Sequence, residues 1–312
     1  MKIVFMGTPE FAIPSLDKLL QSKHDIAAVV SAPDKERGRG RQLSFTPVKE
    51  FALDKNLEVL NPFSLREEQF IDRLKEIEPD LFVVVAFRIL PKEVYTIPKY
   101  GSFNLHGSLL PKYRGAAPIQ WAIINGEKET GVTTFFLEDQ VDTGNIILQE
   151  ILTIEDDDDF GSVHDKMMIL GAHAVMNTID VIEAGLVKLT KQDDSLASPA
   201  PKITKELCEI NWNSSATSIH NLIRGMSPYP GAFFAHNEKI YKVFKTKVAN
   251  NNMEFNSHFI SFSSPLSGRI LETKNEIFIK TGDGIIQILE LQPEGRKRIT
   301  AEEFLRGNSF TK

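Results

Sequence analysis

At 312 residues the chain is long for a single domain, and a composition of 42% hydrophobic and 25% charged residues excludes a disordered polymer. No apolar run reaches the roughly 18 residues that a membrane-crossing helix needs, and the single cysteine, Cys208, excludes an internal disulfide, so a cytoplasmic protein away from membranes is expected. The net charge of −6 argues against indiscriminate nucleic-acid binding, but it is unevenly spread: residues 205–312 hold 14 basic against 11 acidic residues on an otherwise acidic chain.

Met1–Met6 is too short, and is broken too soon by Gly7-Thr8-Pro9, to be a signal-peptide core; Lys2–Met6 reads as a first strand. Further strands are predicted over Asp25–Ser31, Leu57–Leu60, Leu81–Ala86 and Gly101–Leu105. Leu81–Ala86 is apolar at every position, as a parallel strand covered on both faces requires. Helical patterns lie between them: one starting at Thr8 with Pro9 as its first helical residue, others over Ser64–Glu76 and Ala117–Asn125. This alternation predicts an α/β fold with a doubly wound, mostly parallel, Rossmann-like sheet. After Gly131, strands over Val132–Glu138 and Asn145–Ile154 are joined by a polar loop and followed by a long helix, Val163–Ala184. Lys191–Lys202 is polar, contains Pro199 and Pro201, and has no period of its own. It predicts a linker over 191–204 between a catalytic domain, 1–190, and a second domain, 205–312. There a capped helix, Ser214–Gly225, precedes strands over Ala232–Ala235, Lys239–Val248, Gly268–Glu272, Glu276–Thr281 and Ile285–Leu291. Five short strands suit an OB-like β-barrel, and equally a small open sheet.

The first loop, Gly7-Thr8-Pro9-Glu10-Phe11-Ala12, has one glycine, and no Gly-x-Gly-x-x-Gly or phosphate-loop pattern occurs, which argues against a nucleotide cofactor. The densest signal is Phe103–Pro118. Asn104 and His106 are two apart on a predicted strand, so they project to one side, near the carboxyl end where open α/β sheets bind ligands. An amide donor beside an imidazole suits acyl transfer, which needs a donor for the oxyanion and a group that moves a proton. Taken alone, such a pair is more often a satisfied hydrogen-bonding pair, and Arg114 an ordinary surface cation. Asp142, in the polar loop Leu137–Gly144, is placed to orient His106. The run Asp156–Asp159 reads as a solvated loop, since four consecutive acids cannot all face one ion, and no His/Cys cluster has zinc spacing. Cys208, between Leu207 and Glu209, reads as a packed small residue.

Together, Asn104-x-His106, Ser108-Leu109-Leu110-Pro111-x-Tyr113-Arg114-Gly115-Ala116-Ala117-Pro118 and Val141-Asp142-Thr143-Gly144 resemble the folate-dependent formyltransferases, and the resemblance runs from the first strand to the β-rich tail. It implies catalytic roles for Asn104, His106 and Asp142, contact of Ser108, Leu109, Leu110 and Pro111 with the folate, and 10-formyltetrahydrofolate as co-substrate without a metal. Arg37-Gly38-Arg39-Gly40-Arg41, followed by Phe45-Thr46-Pro47-Val48-Lys49, is similar to a loop inserted in the branch of that family which formylates methionine on charged initiator tRNA. By that resemblance Arg37, Arg39 and Arg41 bind tRNA, Ser227–Ala232 and Thr281–Gly284 belong to a tRNA-binding barrel, and a monomer serving translation initiation is expected. The chain departs from the family at Phe87-Arg88-Ile89-Leu90-Pro91, one residue shorter and without the usual Tyr-Gly, in a loop that borders the folate pocket in relatives. Two rivals stand at this point. One keeps the chemistry and takes a small amine, such as glycinamide ribonucleotide or an amino sugar; the other is a non-catalytic RNA-binding protein, which gives no reason for Asn104, His106 and Asp142 to occur together.

Overall fold

Residues 1–37, 42–249 and 267–310 are described by a computed structural model, and they divide into two compact units. The first comprises Met1–Pro118, Glu129–Thr153 and His164–Pro201; the second comprises Ile119–Lys128, Ile154–Val163 and the chain from Lys202 onward. Two short segments of the second unit are therefore embedded in the sequence of the first.

In chain order the first strands are β1 (Lys2–Gly7), β2 (Asp25–Val30), β3 (Lys35–Arg37), β4 (Gln42–Ser44), β5 (Val59–Leu60), β6 (Leu81–Val85), β7 (Ser102–His106), β8 (Arg114–Gly115), β9 (Glu129–Phe136), β10 (Ile146–Thr153) and β11 (Pro199–Ala200). The helices among them are α1 (Ile13–Leu20), α2 (Pro47–Asp54), α3 (Glu68–Ile77), α4 (Lys92–Tyr95), α5 (Pro118–Ile124) and α6 (Phe160–Glu183). The main sheet has the order β10-β9-β7-β6-β1-β2-β5. Strands β7, β6, β1, β2 and β5 run parallel, and β9 and β10 extend the sheet antiparallel, so the mostly parallel, doubly wound α/β fold read from the sequence is the observed one.

Strands β1 and β6 are buried on both faces, which is why their sequences are apolar throughout. Alternate residues, Val4, Met6, Phe82 and Val84, meet Phe70, Leu74 and Ile77 of α3, whose spacing of four and three places them on one helix face. On the other face the backbone of Gly171 in α6 lies so close to Leu105 that an added Cβ would stand 2.7 Å from its side chain. Since Leu105 faces α6, Asn104 and His106 on either side of it face the opposite way.

Local differences from the sequence reading have plain causes. Pro9 is extended (φ −82°, ψ 171°), so it precedes the helix; a 3₁₀ turn, Glu10–Ala12, intervenes, and Pro14 takes the early position in α1 where a missing N–H is harmless. Helix α2, unforeseen, begins at Pro47 under a cap in which Thr46 accepts from the Lys49 N–H. Residues 191–201 are not free of structure: Thr190 bridges Ile146, Asp193 caps a 3₁₀ turn, Asp194–Leu196, and β11 pairs in parallel with β8.

The second unit holds α7 (Ala216–Met226), β12 (Ala232–His236), β13 (Lys239–Ala249), β14 (Ile270–Glu272), β15 (Ile277–Lys280), β16 (Ile285–Pro293), β17 (Ile299–Thr300) and α8 (Ala301–Leu305). Its strands form an antiparallel sheet in the order β12-β13-β16-β15-β14, with β17 beside the second half of β16. Register shifts at Val243/Lys245 and Lys245/Thr246 curl the two longest strands, giving a half-barrel whose edges β12 and β14 are not paired with each other among the described residues. Ile219, Ile223 and Met226 of α7 fill its concave side against Val243, Ile277, Ile279, Ile286, Ile288 and Leu291. The embedded segments belong to this packing: Arg224 of α7 is buried and donates to the carbonyls of Glu155 (3.4 Å) and Asp158 (3.2 Å). Among the described residues no helix is long and apolar enough to cross a membrane.

Candidate active site

The carboxyl end of β7 carries Asn104 and His106, as the strand period requires. Their different surroundings assign them different chemistry. Asn104 is half-buried, and its side-chain amide has no hydrogen-bond partner among the described residues, so both its N–H groups are free to donate. His106 is buried, and its Nε2 lies 2.8 Å from the Tyr113 carbonyl oxygen. A carbonyl only accepts, so Nε2 carries the hydrogen and Nδ1 is the nitrogen left to take up or release a proton. Nδ1 faces Asp142 Oδ2 at 3.9 Å, with side-chain exposures of 7% and 11%, so bulk water does not screen the pair.

Two loops set that approach. The first, after β7, turns back under Thr133 of β9, whose hydroxyl donates to the Ser108 carbonyl (2.7 Å) and accepts from the Leu110 N–H (3.1 Å); Gln149 of β10 donates to the Leu110 carbonyl (2.9 Å). The second, between β9 and β10, carries Asp142 at φ 58°, a left-handed conformation that Asp tolerates better than most residues. The carboxylate Oδ2 accepts from the Gly115 N–H at 2.9 Å, while Oδ1 has no protein partner among the described residues. The glycine that follows is there for space: a Cβ on Gly144 would fall 1.7 Å from the Phe136 carbonyl oxygen. Beyond this loop lies a surface cavity of about 400 Å³ lined by Lys92, Tyr95, Leu137, Glu138, Asp139, Gln140 and Thr143. On its wall the Tyr95 hydroxyl donates to Asp139 at 2.6 Å, which pushes the phenol up to about 12 and holds the Asp139 carboxyl below the usual range.

The other sequence candidates are placed as follows. Ser108 and Leu110 are buried, with the Ser108 hydroxyl donating to the Lys112 carbonyl (2.6 Å), and Leu109 and Pro111 are half-buried. Arg37 ends β3, paired in register with Gln42, whereas Arg39 and Arg41 lie outside the described residues. The base of that hairpin is clamped by Lys49, whose ammonium lies 2.9 and 2.7 Å from the two Asp34 carboxylate oxygens. In the divergent segment Arg88 donates to the carbonyls of Phe63 (3.0 Å) and Pro62 (2.9 Å), leaving Phe63 and Ile89 exposed beside it.

Sequence reasoning missed Thr133, Gln149 and above all Gln192. The first two share a face of the sheet next to His106, and the pairing of β7 with β9 brings Thr133 opposite it, a placement that needs the strand order. Gln192 offered no local signal, because it lies in the stretch read as a linker.

The chain as a whole matches known proteins. Residues 1–179 match the family described as Formyl transferase, and residues 202–309 match Formyl transferase, C-terminal domain. Methionyl-tRNA formyltransferase from Caldanaerobacter subterraneus subsp. tengcongensis is 46% identical over 99% of this chain and 98% of its own length. The protein of that name from Flavobacterium psychrophilum is 45% identical over 100% and 97%. Among solved structures, WlaRD, a sugar 3N-formyl transferase crystallised in the presence of dTDP and 5-N-formyl-THF, superimposes with a TM-score of 0.68 at 25% identity, covering 95% of this chain and 99% of that one.

Proposed function

The chain belongs to the formyl transferase family, and on that footing we propose that it transfers the formyl group of 10-formyltetrahydrofolate to the amino group of methionine on charged initiator tRNA, for translation initiation. The observation that carries the chemistry is the free Asn104 amide beside a histidine whose one exchangeable nitrogen faces a shielded carboxylate. The acceptor rests on full-length relatives named methionyl-tRNA formyltransferase at 42–46% identity, against 25% for the sugar formyl transferase.

In this reading the methionine amine attacks the formyl carbon, a C–N bond forms and the carbonyl oxygen becomes an oxyanion. Asn104 donates to that oxygen, where a single aligned donor is worth roughly 10²–10³ in rate. Asp142, through the free Oδ1, accepts a proton from the attacking nitrogen, and His106 Nδ1 exchanges protons beside it as the bond to N10 breaks and N10 takes up hydrogen. The 3.9 Å between His106 and Asp142 shortens on substrate binding, as catalytic hydrogen bonds commonly do. Leu109, Pro111 and the backbone of Ser108–Pro111 wall the folate, and no metal is required. Residues 1–190, with 191–201 packed among them, perform the transfer, and 205–312 bind tRNA with the exposed Lys245 and Lys247 of β13 and the exposed run Arg296-Lys297-Arg298. Arg37, Arg39 and Arg41 approach the acceptor end, and the enzyme acts as a cytoplasmic monomer.

The test is purified protein with 10-formyltetrahydrofolate, offered charged initiator tRNA, glycinamide ribonucleotide or an amino sugar nucleotide. Formylation of the tRNA alone is expected. A small amine used with equal or higher kcat/KM overturns the acceptor. Arg39→Ala should lower kcat/KM for tRNA, leave folate binding intact and reduce the log-log salt slope by about 0.7–0.9.

A further inference from the structure

Gln192 is buried, 6% exposed, on a segment that the Thr190–Ile146 bridge lays along the outer edge of the sheet. Its amide uses every hydrogen-bonding position it has. Oε1 accepts from Arg114 Nε (3.1 Å) and Nη2 (2.7 Å), and Nε2 donates to the carbonyls of Asp142 and Gly144, both at 2.9 Å. No other protein donor reaches those two carbonyls among the described residues. The contacts close a ring: Asp142 Oδ2 takes the Gly115 N–H, Gly115 follows Arg114, Arg114 holds Gln192, and Gln192 holds the Asp142 carbonyl. Arg114 is itself steadied by Asp194 at 2.7 Å, and the Tyr113 N–H donates to Ser198 Oγ at 2.9 Å.

Asp142 needs such a holder. Its left-handed backbone is disfavoured for an L-residue, though less so for Asp, and an unheld loop would relax from it. Gln192 pins the carbonyls on both sides of Thr143 and fixes both ends of that turn. We infer that Gln192 is a positioning residue for formyl transfer: it sets where the Asp142 carboxylate meets His106 without touching substrate. This rests on the role proposed above for Asp142. Only an amide serves, because the site asks one side chain to accept twice from a guanidinium and donate twice to carbonyls.

Gln192→Glu keeps shape and strengthens the Arg114 contact, but turns two donors into acceptors facing carbonyls. A misplacement of about 1 Å at a catalytic group costs on the order of 10² in rate. The variant should therefore lose about ten- to hundredfold in kcat, with KM for folate and for tRNA within twofold of wild type. Gln192→Met, equally long but unable to donate, answers the same question should the charged variant fail to fold. The decisive comparison adds Asp142→Asn. If Gln192 acts through Asp142, the double variant is no worse than Asp142→Asn alone, whereas a general packing role would multiply the losses. Wild-type kcat in both Gln192 variants, or multiplicative losses, overturns the inference while Asp142 keeps its role. An Asp142→Asn enzyme with wild-type kcat overturns the site reading, and this inference with it.

Discussion

Gly144→Ala is the smallest change that tests whether the position of the Asp142 loop governs the reaction. The added Cβ would stand 1.7 Å from the Phe136 carbonyl oxygen, and real Cβ atoms essentially never approach closer than 3.0 Å, so about 1.3 Å must be found. The clash is with backbone at the end of β9, where Phe136 is still paired with Phe103 of β7, so β9 holds and the loop gives way. Asp142 lies two residues from the substitution, and Gln192 holds the Gly144 carbonyl as well, so the displacement passes to the carboxylate almost undiminished. At roughly 10² in rate for a misplacement of about 1 Å, kcat should fall by about 10²-fold or somewhat more. The strain itself should destabilise the unit by about 1–3 kcal/mol, as for other overpacking substitutions. The assay is formyl transfer to charged tRNA at saturating folate, with thermal unfolding recorded in parallel. A folded variant with kcat within twofold of wild type would sink the argument, because the loop would then have moved without consequence.

Asn104→Ala should lower kcat by about 10²–10³ with unchanged unfolding temperature, since its amide has no internal partner to lose; a drop under threefold would remove it from the reaction. Single and double variants of His106 and Asp142 should be strongly non-additive, the pair being worth little more than the poorer single; fully multiplicative losses would mean they act apart. Acid should destabilise both units. Burial, then the N-terminal ammonium, lowers the pKa of His24, and burial, then Arg224, lowers that of His220, with Asp156 and Asp157 partly opposing the latter. Both therefore take up a proton less readily in the fold than in the unfolded chain, which below about 6.5 binds protons first, so stability is full above that pH and declines beneath it. Unfolding temperatures that stay level from pH 7.5 to 5.0, or a slope unchanged in His24→Gln and His220→Gln, would contradict this.

What the sequence disclosed and what it hid divide along the range of the interactions. Asn104 and His106 are legible because a strand has a period of two, and β6 because a doubly covered strand has no polar face to show. A local signal exists for α8 as well, since Thr300 and Glu303 form a reciprocal capping box. Gln192 is different in kind. Its partners are 48 to 78 residues away, and its neighbours Lys191, Asp193 and Asp194 are those of any solvated connection. Arg88 is similar: its carbonyl partners lie 25 and 26 residues upstream, so sequence shows a departure from the family without the contact that replaces it. The curl of β13 and β16 likewise depends on register shifts between strands that no single strand announces.

The embedding of residues 119–128 in the second unit sets a timetable for biosynthesis. Ile124 and the Gln120 carbonyl belong against Gly225 of α7, where even a methyl group would stand 2.7 Å from the Ile124 side chain. A ribosome adding roughly 5–20 residues per second delivers that helix about 5–20 seconds after the segment it must cover. Throughout that interval the nascent chain presents Ile124 without its eventual cover, alongside strands already able to pair. The interval is long compared with the collapse of small chains, which takes microseconds. The Ile124 end of α5 is thus a transient client surface for whatever binds emerging polypeptides, and slowing elongation between residues 125 and 225 should lengthen that exposure in proportion.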